Sequence, residues 1–373
     1  MLQKLSMTAL VGLFSSVVSL VNADCTYSGG NYYCAQTDAI IYSNVGLSAT
    51  YQDVTNMDES SCACTQADFT ASGSLAPFNE ELSVHFRGPI ELLQFGVYYP
   101  NGESNALKKR SEKQSIESCK EGEAVVSRHK HQHKRDVAVE YVQVTSTVYV
   151  DSNGQTVTAD STNTVVGPAV PSSYTKVSTV LSSNGVSGAA SAQALGDVTI
   201  KSGNEFMIFS GEECSGNNGD CGYYREGIPA YHGFGGADKI FVFEFSMPSD
   251  TSGSAYNQDM PAIWLLNAKI PRTLQYGDAS CSCWKTGCGE MDLFEILTAG
   301  SDKLISHIHD GQDGGTQDYF ERPTDGTLKA AVIFNSSDKT IHIIEVDESF
   351  DATLSDDVVD QWLSKSGSSA ALP

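Results

Sequence analysis

The pattern that most restricts the fold is a two-residue apolar alternation, recurring in short runs and never replaced by a long helical period before Leu354. Lys239 to Phe245 places Phe241, Phe243 and Phe245 on one side, as a half-buried strand requires, because side chains alternate across a pleated backbone. Ala262 to Leu266 is a short apolar run. Ala330 to Phe334 and Thr340 to Val346 are two further strands separated by Asn335-Ser336-Ser337-Asp338, which has the composition of a hairpin turn. Many short strands with Gly, Asp and Ser between them predict an all-β chain in which residues 194–373 form a β-sandwich of jelly-roll type. That segment stops soon after Trp362, so a sandwich built from it alone is expected to lack closing strands and expose an unpaired edge.

The rest of the chain divides by composition. Lys4 followed by an apolar run from Ala9 to Val21 and by Val21-Asn22-Ala23 predicts a signal peptide over residues 1–23, and hence secretion. Serines interrupt the run, which is too short to span a bilayer, no later segment is long enough, and Ser364 to Pro373 lacks the apolar tail of a lipid-anchor signal. Residues 24–100 read as a small Cys-rich β module that ends in the alternating Leu82-Ser83-Val84-His85-Phe86 and Leu92 to Tyr99. Residues 101–135 are basic and contain Lys108-Lys109-Arg110 and His133-Lys134-Arg135, dibasic sites that a processing protease of the secretory route would cut. From 136 to 193 Ser, Thr, Val and Gly dominate, too few large apolar residues for a core, which predicts a glycosylatable linker. Asn335-Ser336-Ser337 is an N-glycosylation sequon.

Ten cysteines in a secreted chain are read as disulfides. Cys25, Cys34, Cys62 and Cys64 form one group, Cys119 stands alone, and Cys214, Cys221, Cys281, Cys283 and Cys288 form an odd group. One member of that last group therefore pairs outside it or stays free. Cys281-Ser-Cys283 with Cys288 is the zinc-like alternative, which the oxidising route disfavours.

With 46 acidic against 23 basic residues, the net charge of -23 repels a phosphate backbone and excludes nucleic acid as a natural partner. The imbalance sharpens after residue 135, because nine of the 23 basic residues lie between Lys108 and Arg135. A neutral polymer or a cation suits such a surface better.

The segment that carries chemistry is Glu290-Met291-Asp292-Leu293-Phe294-Glu295, three carboxylates among large apolar residues. On a strand, Glu290 and Asp292 share a face and Glu295 points away from it, unless a β-bulge near Leu293-Phe294 returns Glu295 to the acidic face and leaves Met291, Leu293 and Ile296 on the other. The two glutamates are then about 13 Å apart along the backbone, and side chains leaning inward leave about 5 Å between carboxyls, the spacing of a retaining glycosidase. Asp292 between them would hold their pKa values apart. The competing expectation is a short amphipathic helix with Met291, Phe294 and Leu297 inward and the acids in solvent.

Glu290-x-Asp292-x-x-Glu295 resembles the bulged signature of glycoside hydrolase family 16, and Pro261-Ala262-Ile263-Trp264-Leu265-Leu266 resembles a strand that precedes it in that family. The whole chain resembles the fungal Tos/PGA-type cell-wall proteins, a group of β-1,3-glucanases. The resemblance implies a concanavalin-like sandwich and an endo-β-1,3-glucanase of the cell wall, needing no cofactor and no metal, with the wall polysaccharide as partner. It makes Glu290 the nucleophile, Asp292 the assisting carboxylate and Glu295 the general acid/base, with His307 or His309 nearby. Trp264 is expected to offer a sugar-stacking face, and Trp284 is a second such residue. The alternative is a structural wall glycoprotein that binds glycan without cleaving it.

Overall fold

The computed structural model describes residues 25–46, 49–58, 60–61, 63–100, 199–225, 230–254, 256–351 and 353–373, with backbone alone for 49, 141–143 and 353. The expected signal peptide, both dibasic sites, Cys62, Cys119 and nearly all of the Ser/Thr-rich linker lie outside the described residues.

The regular structure of the described chain is mostly strand. In order they are β1 (Thr26–Ser28), β2 (Asn31–Tyr33), β3 (Ala39–Ser43), β4 (Ala49–Asp58), β5 (Ala63–Ala71), β6 (Leu82–Arg87), β7 (Ile90–Pro100), β8 (Tyr141–Gln143), β9 (Thr199–Ile200) and β10 (Glu205–Ile208). Then come β11 (Lys239–Ser246), β12 (Ala262–Asn267), β13 (Glu290–Glu295), β14 (Lys303–His309), β15 (Gly314–Gly315), β16 (Phe320–Glu321), β17 (Leu328–Asn335), β18 (Thr340–Glu345), β19 (Thr353–Leu354) and β20 (Ser368–Ala371). The runs read as strands from alternation are strands, and Asn335 to Thr340 closes the β17–β18 hairpin as its composition predicts. A helix, Asp356–Leu363, follows Leu354, capped by the Ser355 side chain.

Two antiparallel sheets stack as a sandwich. One runs β10-β6-β12-β13-β14-β15, with β16 also paired to β14; the other runs β19-β8-β7-β11-β17-β18-β3-β20, with β9 on β7 and only β20 parallel to its neighbour. Phe241, Phe243 and Phe245 of β11 point between the sheets, as the alternation requires, and meet Phe234, Phe86 and Phe294 of the facing layer with centroids 5.8, 6.2 and 5.3 Å apart. The other face of β11, Ile240 and Val242, packs with Val359 and Trp362 of the helix. That sheet is therefore buried on both faces, whereas in the other sheet β12 is covered on its second face by Tyr51, Ala71, Ile270 and the Cys283–Cys288 segment, and β13 and β14 turn their polar residues outward.

Composition suggested that residues 24–100 stand apart as a small module, and the strand pairing differs. β6 lies between β10 and β12, β7 between β8 and β11, and β3 between β18 and β20. The early segment thus supplies interior strands of both sheets, and the sandwich of the distal segment is closed by them. Its Leu82, Val84 and Phe86 are completely buried in the shared core, which explains why such a short segment can afford so apolar a run. Four disulfides are formed among the described residues: Cys25–Cys34, Cys214–Cys221, Cys283–Cys288 and Cys64–Cys281. The last takes the odd cysteine of the distal group to a partner 217 residues earlier.

Candidate active site

Residues 290–295 form a strand and not an amphipathic helix. Along β13, Phe294 pairs with Ile263 but Asp292 already pairs with Trp264, so one extra residue is accommodated at Leu293. The same irregularity separates Asp292, opposite His307, from Glu295, opposite Ile305. This is a bulge at the position the apolar pattern required. Met291, Leu293, Phe294 and Ile296 all enter the core, which fixes Glu290, Asp292 and Glu295 on the outward face.

Each carboxylate has a different neighbour. Trp284 Nε1 donates to Glu290 Oε2. Arg87 of β6 donates to Glu295 Oε1 at 3.0 Å, held in place by a second bond from its Nε to the Met260 carbonyl at 2.7 Å. Asp292 Oδ2 lies 3.5 Å from His309 Nε2, whose Nδ1 is 3.4 Å from Asp313. Beneath Asp292, Ser306 Oγ donates to its backbone carbonyl at 2.6 Å and also contacts the Tyr42 hydroxyl at 2.9 Å, tying the strand to the core.

Burial and the Asp292 charge push both glutamates upward, Glu290 to about 8 and Glu295 to about 7. His309 is raised to about 9, first by its hydrogen bond to Asp292 and then, against the cost of burial, by the acids around it. The site therefore holds at neutral pH an imidazolium and a set of carboxyls that share protons instead of ionising together. Both proton donor and nucleophile can be drawn from such a set, provided the protons settle unequally.

Three of the expected sugar-contacting residues stand beside the acids: His309 and His307, whose rings are 4.5 Å apart, and Trp284, which is 46 % exposed. Trp264 is on the same face but only 5 % exposed. It stacks on His85 at 5.3 Å and packs with Tyr51, Leu266, Ile270 and the Cys283–Cys288 bridge. The expectation of an open stacking face on Trp264 is therefore corrected: its ring is floor, and Trp284 is the open indole. Trp284 is positioned by its short loop, pinned on either side by Cys283–Cys288 and by Cys281–Cys64.

Arg87, His85, Glu205 and Tyr276 are the residues that sequence reasoning missed. Glu205 lies opposite Arg87 on β10 and accepts from the Tyr276 hydroxyl at 2.9 Å. The available signal was the polar half of β6, Ser83, His85 and Arg87, alternating with Leu82, Val84 and Phe86. A strand with one fully apolar and one His/Arg face covers something polar on that second face.

The protein is thus an antiparallel β-sandwich with three clustered carboxylates on the outward face of one sheet, flanked by indole and imidazole rings. Comparison with known proteins narrows that class. The family described as cell wall protein YJL171C/Tos1, C-terminal, matches residues 157–362, and its N-terminal counterpart matches residues 38–100. A Saccharomyces cerevisiae protein named probable circularly permuted 1,3-beta-glucanase TOS1 is 82 % identical, with all of both chains covered. A Candida albicans protein of the same name is 44 % identical over 99 % of each chain, and a Schizosaccharomyces pombe relative, also named a probable circularly permuted 1,3-beta-glucanase, is 35 % identical over 92 % of this chain and 94 % of its own. No solved structure matches. The chain belongs to the Tos1/YJL171C family of cell wall proteins.

Proposed function

We propose that this protein cleaves or transglycosylates fungal wall β-1,3-glucan, endo-fashion and with retention of configuration. The observation that carries the reading is the bulge at Leu293, which brings two glutamates separated by five positions onto one face around a central aspartate. Glu290 attacks the anomeric carbon while Glu295 gives its proton to the departing glycosidic oxygen, so that a glycosyl ester forms on Glu290 and the old bond breaks. Glu295 then takes a proton from water, for hydrolysis, or from a sugar hydroxyl, for transfer, as the ester opens. The Trp284 N–H and His309 oppose, without cancelling, the burial and the Asp292 charge that raise Glu290, so Glu290 attacks from the fraction of molecules in which it has given up its proton. Arg87 favours the carboxylate of Glu295 in the same way, so the roles follow the order of the motif and substrate must displace or share that guanidinium for Glu295 to act as an acid.

In the same proposal the protein is secreted through cleavage after Ala23, is cut after Arg110 or Arg135 by a processing protease, and is glycosylated at Asn335. Incubation with laminarin-type oligosaccharides, with products followed by mass and by the anomer first released, tests the reaction. Glu290→Ala should be inactive and regain some cleavage with azide, giving an inverted product. Glu295→Ala should keep the first step only on substrates with good leaving groups. Full activity of both Glu290→Gln and Glu295→Gln proteins would end the hydrolase reading and leave a glycan-binding one.

A further inference from the structure

One feature of the early segment is not used by the carboxylate site itself. β1 and β2 form a hairpin closed by Cys25–Cys34, with the Tyr27 and Tyr32 rings 4.9 Å apart and 62 % and 55 % exposed. Two exposed tyrosines in tilted ring contact on a disulfide-closed loop cost solvation, and a chain that merely needed a turn would not require them.

The hairpin is fixed to the sandwich. Cys34 N donates to the Gln317 carbonyl at 2.8 Å, Ala35 N to Asp318 Oδ1 at 2.9 Å, and Tyr33 is buried edge-on against Tyr319. Gly29, at φ +57°, is so close to Thr298 that a Cβ there would lie 1.9 Å from the threonine oxygen. Its placement sets Tyr32 and Asn31 along a groove that His307, Ile305, Thr316 and Gln317 also line. His307 is in ring contact with His309, and His309 reaches Asp292. The groove is thus continuous with the carboxylate site across β14, with its far wall at β15, two strand spacings from β13 and so about 10 Å away.

We propose that this groove is a distal sugar subsite in which Tyr32, backed by Tyr27, stacks on a glucose unit of the glucan chain further along than the unit at Glu290 and Glu295. The inference rests on the glucan reading of that site. The chemistry fits a neutral polyhydroxyl ligand: an aromatic face for the C–H side of a pyranose, uncharged amide and hydroxyl groups of Asn31, Thr316 and Gln317 for its oxygens, and no Lys, Arg, Asp or Glu among the groove residues. Because the platform is rigid before substrate arrives, little ordering entropy opposes its use.

The test compares Tyr32→Ala, Tyr32→Phe and, as a control on a distant exposed tyrosine, Tyr256→Ala, using β-1,3-gluco-oligosaccharides of increasing length. For chains long enough to reach the hairpin, Tyr32→Ala should raise KM about threefold to tenfold with kcat nearly kept, the range expected for one lost ring contact. The loss should shrink as the substrate is shortened, and Tyr32→Phe should restore the long-chain KM. Equal effects at all lengths, or none at any, in a Tyr32→Ala protein that still cleaves would overturn the subsite alone. Calorimetric binding of the hexasaccharide to Glu290→Gln supplies the second readout. Length-dependent binding that needs the Tyr32 ring, in a protein whose parent never cleaves, would keep the subsite and remove the hydrolase. Neither cleavage nor binding of the hexasaccharide would remove both.

Discussion

Replacing Glu290 by Gln should stabilise the protein at alkaline pH and leave it nearly unchanged at acid pH. Burial and the Asp292 charge lift the Glu290 carboxyl from its ordinary 4.5 to about 8. Between those values the folded chain holds a proton that the unfolded chain has lost, so stability falls as pH rises through the window and levels off above about 8. The penalty is absent below about 4.5. Each pH unit inside the window costs at most about 1.4 kcal/mol, which for an isolated group sums to about 5 kcal/mol over the window. Because Glu295 is raised by the same burial and charge and titrates alongside Glu290, about 2–3 kcal/mol is the expected gain for the variant near pH 8. Gln keeps the volume and an oxygen for the Trp284 N–H, so packing is not a competing cause. Urea unfolding of both proteins, with disulfides intact, at about pH 5 and about pH 8 measures the difference. A gain of the same size at both pH values, or a larger one at acid pH, would show that Glu290 is not held protonated by its surroundings.

Asp292→Asn should bring the His309 titration down from about 9 towards the ordinary imidazole range, because the first cause of its elevation is the bond to that carboxylate; histidine NMR signals followed against pH report it. Trp284→Phe keeps an aromatic ring but removes the donor to Glu290, so the glutamate should rise further and kcat/KM should fall about tenfold with its pH optimum moved upward, read from a pH–rate profile. Breaking Cys64–Cys281 by a double Ser substitution should cost about 2–5 kcal/mol in thermal or urea unfolding, since it closes a loop of 217 residues. Residues 194–373 expressed alone should fail to give a cooperative unfolding transition, and co-expression with residues 25–100 should restore one; a stable, cooperative distal fragment would contradict the shared core.

Much of the secondary structure was legible because burial on one face writes itself into the chain with period two: Phe241, Phe243 and Phe245 declare β11, and the acids of β13 declare both a face and a bulge. The bulge could be placed because apolar and acidic residues fall out of step only once between Glu290 and Ile296. What the sequence did not disclose is which strands become neighbours. Nothing local in Leu82 to Arg87 says that its partners are at 205–208 and 262–267, so Arg87 could not be put beside Glu295. The burial of Trp264 was hidden for the same reason: its ring is covered by His85 of β6, Tyr51 of β4 and Ile270 of the distal segment, brought together only by that pairing.

The order of the strands also explains how so long an interruption can be carried between the two parts. β7 ends at Pro100, the backbone at 141–143 returns to pair with 98–100, and the chain rejoins at 199–200 against 90–91. Each of these junctions is on the sheet that contains β7 and β11, whereas the carboxylates are on the opposite sheet and face away from the shared core. The described strands that adjoin residues 101–198 are therefore on the sheet opposite Glu290, Asp292 and Glu295. The two parts remain joined by the β6–β12, β6–β10 and β7–β11 ladders and by Cys64–Cys281. The site, however, is divided between them: Arg87 and His85 come from the early part and the three acids from the distal part. Folding of the two parts onto each other is thus the same event as assembly of the site, and any change that loosens the early strands must reach Glu295 through the guanidinium that β6 lends to it.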